Sequence, residues 1–216
     1  LIGLSDSSER EKFSRNGYCF LDPFMKKEFY ELLLKTFPER HYFSPMHHWL
    51  KTYDFGFRYR RGKEKNIESI RNLNKFNGLY ALYQNLASEE FSAALSNFID
   101  DGILRSLATI TTTWATGGSA LIPHKDTSYS DPTQKKLGLV NLIIFVDAHA
   151  PSGGECGATT IYSDNEYKSE LFKPKNLKNS ALLYNSVGDF YHGFKPMVRG
   201  SWRLTINVQF SAEVGE

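Results

Sequence analysis

The run His192-Gly193-Phe194-Lys195-Pro196-Met197-Val198-Arg199-Gly200-Ser201-Trp202-Arg203-Leu204-Thr205 folds back on itself, because Pro196 and Gly200 bracket a tight turn between two strands. The second strand then alternates. Arg203, Thr205, Asn207 and Gln209 fall on one face, and Leu204, Ile206, Val208 and Phe210 on the other. A polar strand face usually meets solvent, and a surface salt bridge is the plainer role for an Arg on it. This face, however, begins with an Arg that the turn returns to the side of His192. A guanidinium there can grip a dicarboxylate with two parallel hydrogen bonds, which an ammonium does less well. Thr205, on the same face, can add a hydroxyl.

Upstream lies Pro123-His124-Lys125-Asp126. Residues two apart on a strand point the same way, so His124 and Asp126 can aim an imidazole nitrogen and a carboxylate oxygen at one point. On its own, such a pair is more often a surface turn. His192, in a β-rich segment beside Gly193, is the best third donor. Two His and one carboxylate make a facial triad with positions left open, the arrangement suited to non-haem Fe(II) oxygen chemistry.

Further upstream the pattern is helical. Asp22-Pro23 reads as an N-cap and first turn, with Met25, Phe29, Leu32, Leu33 and Thr36 on one face and Pro38 as a stop. Leu79, Leu82, Tyr83 and Leu86 repeat at helical spacing. Ser88 caps a further helix with Phe91, Leu95, Phe98 and Ile99 on its buried side, and Gly102 ends it. Residues 39–62 read as an aromatic loop. After Gly102, short β-rich runs near 104–114, 119–124, 138–146, 158–162, 181–185, 190–195 and 202–210 are separated by turn residues such as Gly117-Gly118, Asp131-Pro132 and Pro151-Ser152-Gly153-Gly154. Helices first and strands afterwards predict helices packed on one face of a β structure. One domain is expected, with 1–102 a mainly helical cover and substrate lid and 103–212 a β core.

Composition bounds the partners. The chain has 216 residues, 41% hydrophobic and 23% charged, with a formal net charge of +2, ordinary values for a folded domain. So small a charge argues neither for nucleic acid nor for a membrane surface. The densest basic run, Arg58, Arg60, Arg61, Lys63 and Lys65, reads as a solvated loop. Cys19 and Cys156 are far apart and form no disulfide framework, so a reducing, cytoplasmic setting is the default expectation.

Taken together, the His-Lys-Asp run and the stretch from His192 to Thr205 resemble the Fe(II)/2-oxoglutarate-dependent dioxygenase superfamily, nearest its prolyl-hydroxylase-like and phytanoyl-hydroxylase-like branches. Ser152-Gly153-Gly154-Glu155 is similar to that family's G-G-E turn, and Ala181-Leu182-Leu183-Tyr184-Asn185 to the strand before its distal His. Two features depart from the pattern. Arg203 comes eleven residues after His192, one more than the commonest spacing, and Trp114 stands where relatives often carry a Tyr that contacts 2-oxoglutarate.

The resemblance implies a mostly β protein with N-terminal helices (α+β), its core a double-stranded β-helix, a cupin-like jelly-roll barrel. It implies Fe(II) on His124, Asp126 and His192, with 2-oxoglutarate and O₂ as co-substrates. Arg203 and Thr205 would hold the far carboxylate, with Asn141 and Trp114 beside the co-substrate and Asn207 and Tyr129 near the substrate. Relatives that halogenate carry Gly or Ala at the carboxylate position, so Asp126 favours hydroxylation. The expected substrate is a small molecule, an amino acid or natural-product intermediate, with no nucleic acid and no membrane involved. A prolyl-type protein substrate is the alternative, and a non-catalytic jelly-roll that binds a ligand is the other. The stretch 41–59 and the loop 127–137 are expected to form lids.

Overall fold

The structure, a computed structural model, describes residues 4, 6–47, 52–54, 59–60, 75–126, 139–186 and 188–212. Twelve strands form two antiparallel sheets among these residues. The strands are β1 (Tyr18–Leu21), β2 (Ser44–His47), β3 (Thr52–Asp54), β4 (Tyr59–Arg60), β5 (Arg105–Thr116), β6 (Leu121–His124), β7 (Val140–His149), β8 (Thr160–Tyr162), β9 (Glu170–Phe172), β10 (Ser180–Asn185), β11 (Tyr191–Phe194) and β12 (Trp202–Ala212). The larger sheet runs β1-β10-β7-β12-β5-β3-β2, with β4 also paired to β5; the smaller runs β6-β11-β8-β9.

Four α-helices accompany them among the described residues: α1 (Ser7–Asn16), α2 (Lys27–Lys35), α3 (Asn77–Leu86) and α4 (Glu89–Ile99). Ser88 Oγ accepts the Phe91 amide and starts α4, as its sequence signal predicts. The C-terminal left-handed turn falls on Asp100 (φ 58°), two residues before the expected Gly102, because Asp tolerates that conformation better than most side chains. Asp22-Pro23 caps no helix. Its peptide bond is cis, and α2 begins only at Lys27, after Phe24 and Met25 have been buried in the core.

The helices cover one face of the larger sheet. Leu79, Leu82, Leu86 and Leu95 meet Leu142, Ile144, Leu183, Ile206 and Val208 in one continuous core. Alternation along β7 and β12 then forces the odd-numbered residues to the other face. There Ile143 and Phe145, joined by the even-numbered Leu182 and Tyr184 of β10, pack towards the smaller sheet through Ile161 and Phe190. The run Leu142 to Val146 is apolar throughout because β7 is buried on both faces. The seven strands expected after Gly102 are all present within a few residues, and β9 is additional.

Part of the N-terminal half is β rather than helix or loop. β1 pairs with β10 at one edge, and β2, β3 and β4 extend the sheet beyond β5. These segments are short, and edge pairing supplied by a distant strand, not local periodicity, makes them strands. Most of the basic run, the Asp131-Pro132 turn and Tyr129 lie outside the described residues. No helix among the described residues is long and apolar enough to cross a membrane.

Candidate metal centre and anion pocket

Between the sheets lies a cavity of about 420 Å³. β6 and β11 bring the first two donors together. His124 and His192 are register partners across the antiparallel pair, and their rings stand 4.3 Å apart. Gly193 lets the strands approach this closely, since a Cβ there would meet the Leu121 carbonyl at 2.4 Å and Pro123 Cα at 2.9 Å.

Asp126 sits past the end of β6, so a turn of the chain, not strand alternation, aims its carboxylate. One oxygen, Oδ1, lies 3.6 Å from Nε2 of His124 and 3.6 Å from Nε2 of His192. All three donor atoms fall within 4.8 Å of one another. Lys125 points away from the group, pairing with Asp189 at 2.6 Å and lying over the Tyr191 ring, which ties the end of β6 to the approach to β11.

The protonation states suit a metal. His124 donates Nδ1–H to the Ile122 carbonyl at 2.9 Å, which leaves its Nε2 lone pair facing the centre. Burial pushes His192 down to about 4, so its imidazole is neutral at neutral pH. Burial would raise Asp126, but the hydrogen bond and charge of His124 in its protonated form, the attraction of a protonated His192 and the Asn141 amide outweigh it and hold the carboxylate below its usual range. The same contact with Asp126 raises His124. Two neutral-capable nitrogens and one ionised oxygen are a donor set a divalent ion fits.

The second half of the site is Arg203, which is 6% exposed. Its cross-strand neighbours are Ala115 and Ala148, small enough to leave room for a guanidinium. The group rests on the Phe194 ring at 4.0 Å, and Nη1 donates to the Gly157 carbonyl and to Thr159 Oγ1. Burial lowers it to about 10, so it remains charged at neutral pH. It has no carboxylate partner among the described residues, and its buried Nε–H has no acceptor. A buried cation with an unused donor at a cavity wall is a fit for an anionic ligand.

The remaining expected residues divide. Asn207 lines the cavity. Thr205 is fully buried behind the wall, its hydroxyl 2.7 Å from that of Thr113, so Thr113 is the one that reaches the cavity. Asn141 lines the cavity, but its amide nitrogen donates to Asp126 Oδ2 and to Ser186 Oγ. Trp114 needs correction. It lies on the helix-facing side of β5, packed against Phe43 and Trp202, because the odd-numbered Thr109, Thr111 and Thr113 occupy the cavity face. Tyr184 was not singled out from sequence. Its buried ring lies 4.7 Å from that of His192, and its phenol adjoins Asp126. The alternation of 181–185, which aims Tyr184 and Leu182 to one face, was the available signal.

The sequence matches no family model and no curated protein. The fold does have solved counterparts. A 2OG-Fe(II) oxygenase family oxidoreductase from Burkholderia pseudomallei superposes with a TM-score of 0.60 at 12% identity, covering 100% of this chain and 94% of the other. HygX from Streptomyces hygroscopicus, solved with nickel and 2-oxoglutarate bound, gives 0.61 at 13% identity over 96% and 87%. A prolyl hydroxylase from Trichoplax adhaerens, in complex with a peptide of hypoxia inducible factor, gives 0.59 at 16% identity over 94% and 87%. The chain has the fold of these oxygenases, as its motifs led one to expect.

Proposed function

We propose that this chain is a 2-oxoglutarate- and Fe(II)-dependent oxygenase that hydroxylates an unactivated C–H bond, built on a distorted double-stranded β-helix. One observation carries the reading: a two-His, one-carboxylate group and a buried, anion-ready arginine share one cavity. A metal-binding or structural jelly-roll would need no such arginine.

In this reading His124 Nε2, His192 Nε2 and Asp126 Oδ1 hold the iron, and Arg203 binds the distal carboxylate of 2-oxoglutarate, with Thr113 backed by Thr205 beside it. Iron, 2-oxoglutarate and O₂ together supply the oxidising chemistry, with succinate, CO₂ and a hydroxylated substrate as products. The protein's part is placement. The Phe194 ring, 4.0 Å from the guanidinium carbon, backs the arginine, and the apolar Ile143 and Phe194 line the cavity where the co-substrate would sit. Asn207, with Thr109 and Thr111 from β5, offers neutral hydrogen-bonding groups to a substrate.

The substrate is a small molecule, an amino acid or natural-product intermediate, in a cavity whose volume lies in the small-ligand range. A peptide is the second reading, favoured by the peptide complex of the Trichoplax counterpart. Fe(II)-dependent conversion of 2-oxoglutarate to succinate, measured with a panel of amino acids, glycosides and prolyl peptides, tests the proposal. Turnover by the parent, with loss of metal-dependent 2-oxoglutarate binding in a folded His192→Ala variant, is expected. Failure of the iron-loaded parent to bind 2-oxoglutarate would overturn it.

A further inference from the structure

A carboxylate that is to serve a metal through one oxygen needs its other oxygen held elsewhere. Asp126 shows this division. Oδ1 faces both imidazoles at 3.6 Å, while Oδ2 accepts from Asn141 Nδ2. The same nitrogen donates to Ser186 Oγ at 2.6 Å. An amide has two N–H donors, so both are committed, and the orientation of the amide is set from two sides. Asn141 is 4% exposed on β7, which is flanked by β10 and β12. Ser186 is fixed in turn, since its amide donates to the Leu139 carbonyl at 3.0 Å, closing the loop after β10 onto the start of β7.

We propose that Asn141 is a positioning residue that acts through Asp126: with Ser186 behind it, it restricts the carboxylate to one metal-facing oxygen and keeps Oδ1 aimed between the two histidines. This rests on the reading of Asp126 as a metal ligand. It assigns Asn141 to the support of the metal centre rather than to the co-substrate, because no N–H of its amide is left for one. Residues that hold a ligand in place commonly govern affinity by ten- to a hundredfold when removed.

Co(II) titration of the metal-free full chain, read by calorimetry and by the visible absorption of the bound ion, tests this without turnover. Asn141→Leu keeps the buried volume and removes the donor; Asn141→Ala removes both. Both are expected to weaken Co(II) binding by ten- to a hundredfold and to change the absorption spectrum, as the freed Oδ2 alters the coordination. Thermal melts of the metal-free variants establish that they fold. Parental affinity and spectrum in folded Asn141→Leu would overturn the proposal. Should neither variant fold, Ser186→Ala takes their place; a several-fold loss of affinity with a shifted spectrum supports the proposal, and parental behaviour overturns it. A parent that binds Co(II) no better than His192→Ala removes the ligand reading, and this proposal with it, whereas a parent that binds and an Asn141→Leu that matches it defeats this proposal alone.

Discussion

Arg203 concentrates the chemistry that a single side chain can decide. Its fork meets Gly157 and Thr159 with one nitrogen, leaves Nε without an acceptor among the described residues, and lies over the Phe194 ring. An ammonium would keep the charge but lose the planar fork and the stacking. Arg203→Lys is therefore expected to weaken 2-oxoglutarate binding by more than about tenfold, the cost of one good charge-assisted hydrogen bond, while Co(II) affinity stays at the parental level. Equilibrium binding of each ligand to the same variant checks the split. Sequence exposed Arg203, His124, Asp126 and His192 because residue type and spacing carry their chemistry. Trp114 was misplaced because position relative to a motif does not reveal which strand face a side chain takes. Asn141 lines the cavity, but its partners, Asp126 and Ser186, are brought to it by other elements and could not be read from its own strand.

At the level of elements, the site depends on how tightly β6 lies against β11. His124 and His192 face each other only because Gly193 admits backbone atoms of β6 where a side chain would stand. Gly193→Ala must push β6 away, since Leu121 O and Pro123 are backbone and ring atoms that cannot rotate aside. The expected outcome is a loss of about 1–3 kcal/mol of stability together with a fall of more than tenfold in metal affinity, as the two imidazoles part. Denaturant unfolding and Co(II) titration measure the two effects. The helices α3 and α4 and the strands after residue 104 were legible because each carries its own period and punctuation. The first strands were not. β1 is only Tyr18–Leu21, and it becomes a strand by pairing with β10, more than 150 residues later.

The whole molecule holds a buried thiol and a partly buried phenol away from the cavity, and these set its tolerance of alkali. Cys19 is 3% exposed, and burial, aided by the charge of Glu9, raises its thiol far above the usual range. Tyr30, whose hydroxyl donates to the Val146 carbonyl, is pushed up to about 12. Both groups are neutral when folded and titrate earlier when unfolded. The contribution of Cys19 is thus complete below the unfolded thiol pKa of about 8.5 and that of Tyr30 below the unfolded phenol pKa of about 10, and each declines as pH rises above its own value, by at most about 1.4 kcal/mol per pH unit. The denaturation midpoint is expected to fall from pH 8 to pH 10, and Cys19→Ala to flatten that fall; equal slopes in the two proteins would refute the assignment. What the sequence determined by itself is the local part: the order of helices before strands, the alternation of β12, and three metal-type donors with an arginine at a telling interval. Only the tertiary structure decided that Arg203 Nε has no acceptor among the described residues, that Asp126 accepts from Asn141, and that Trp114 faces the helices. The reason is physical. Period and residue type are properties of neighbouring residues, whereas burial, pairing and the filling of hydrogen bonds depend on elements far apart in the chain meeting in space.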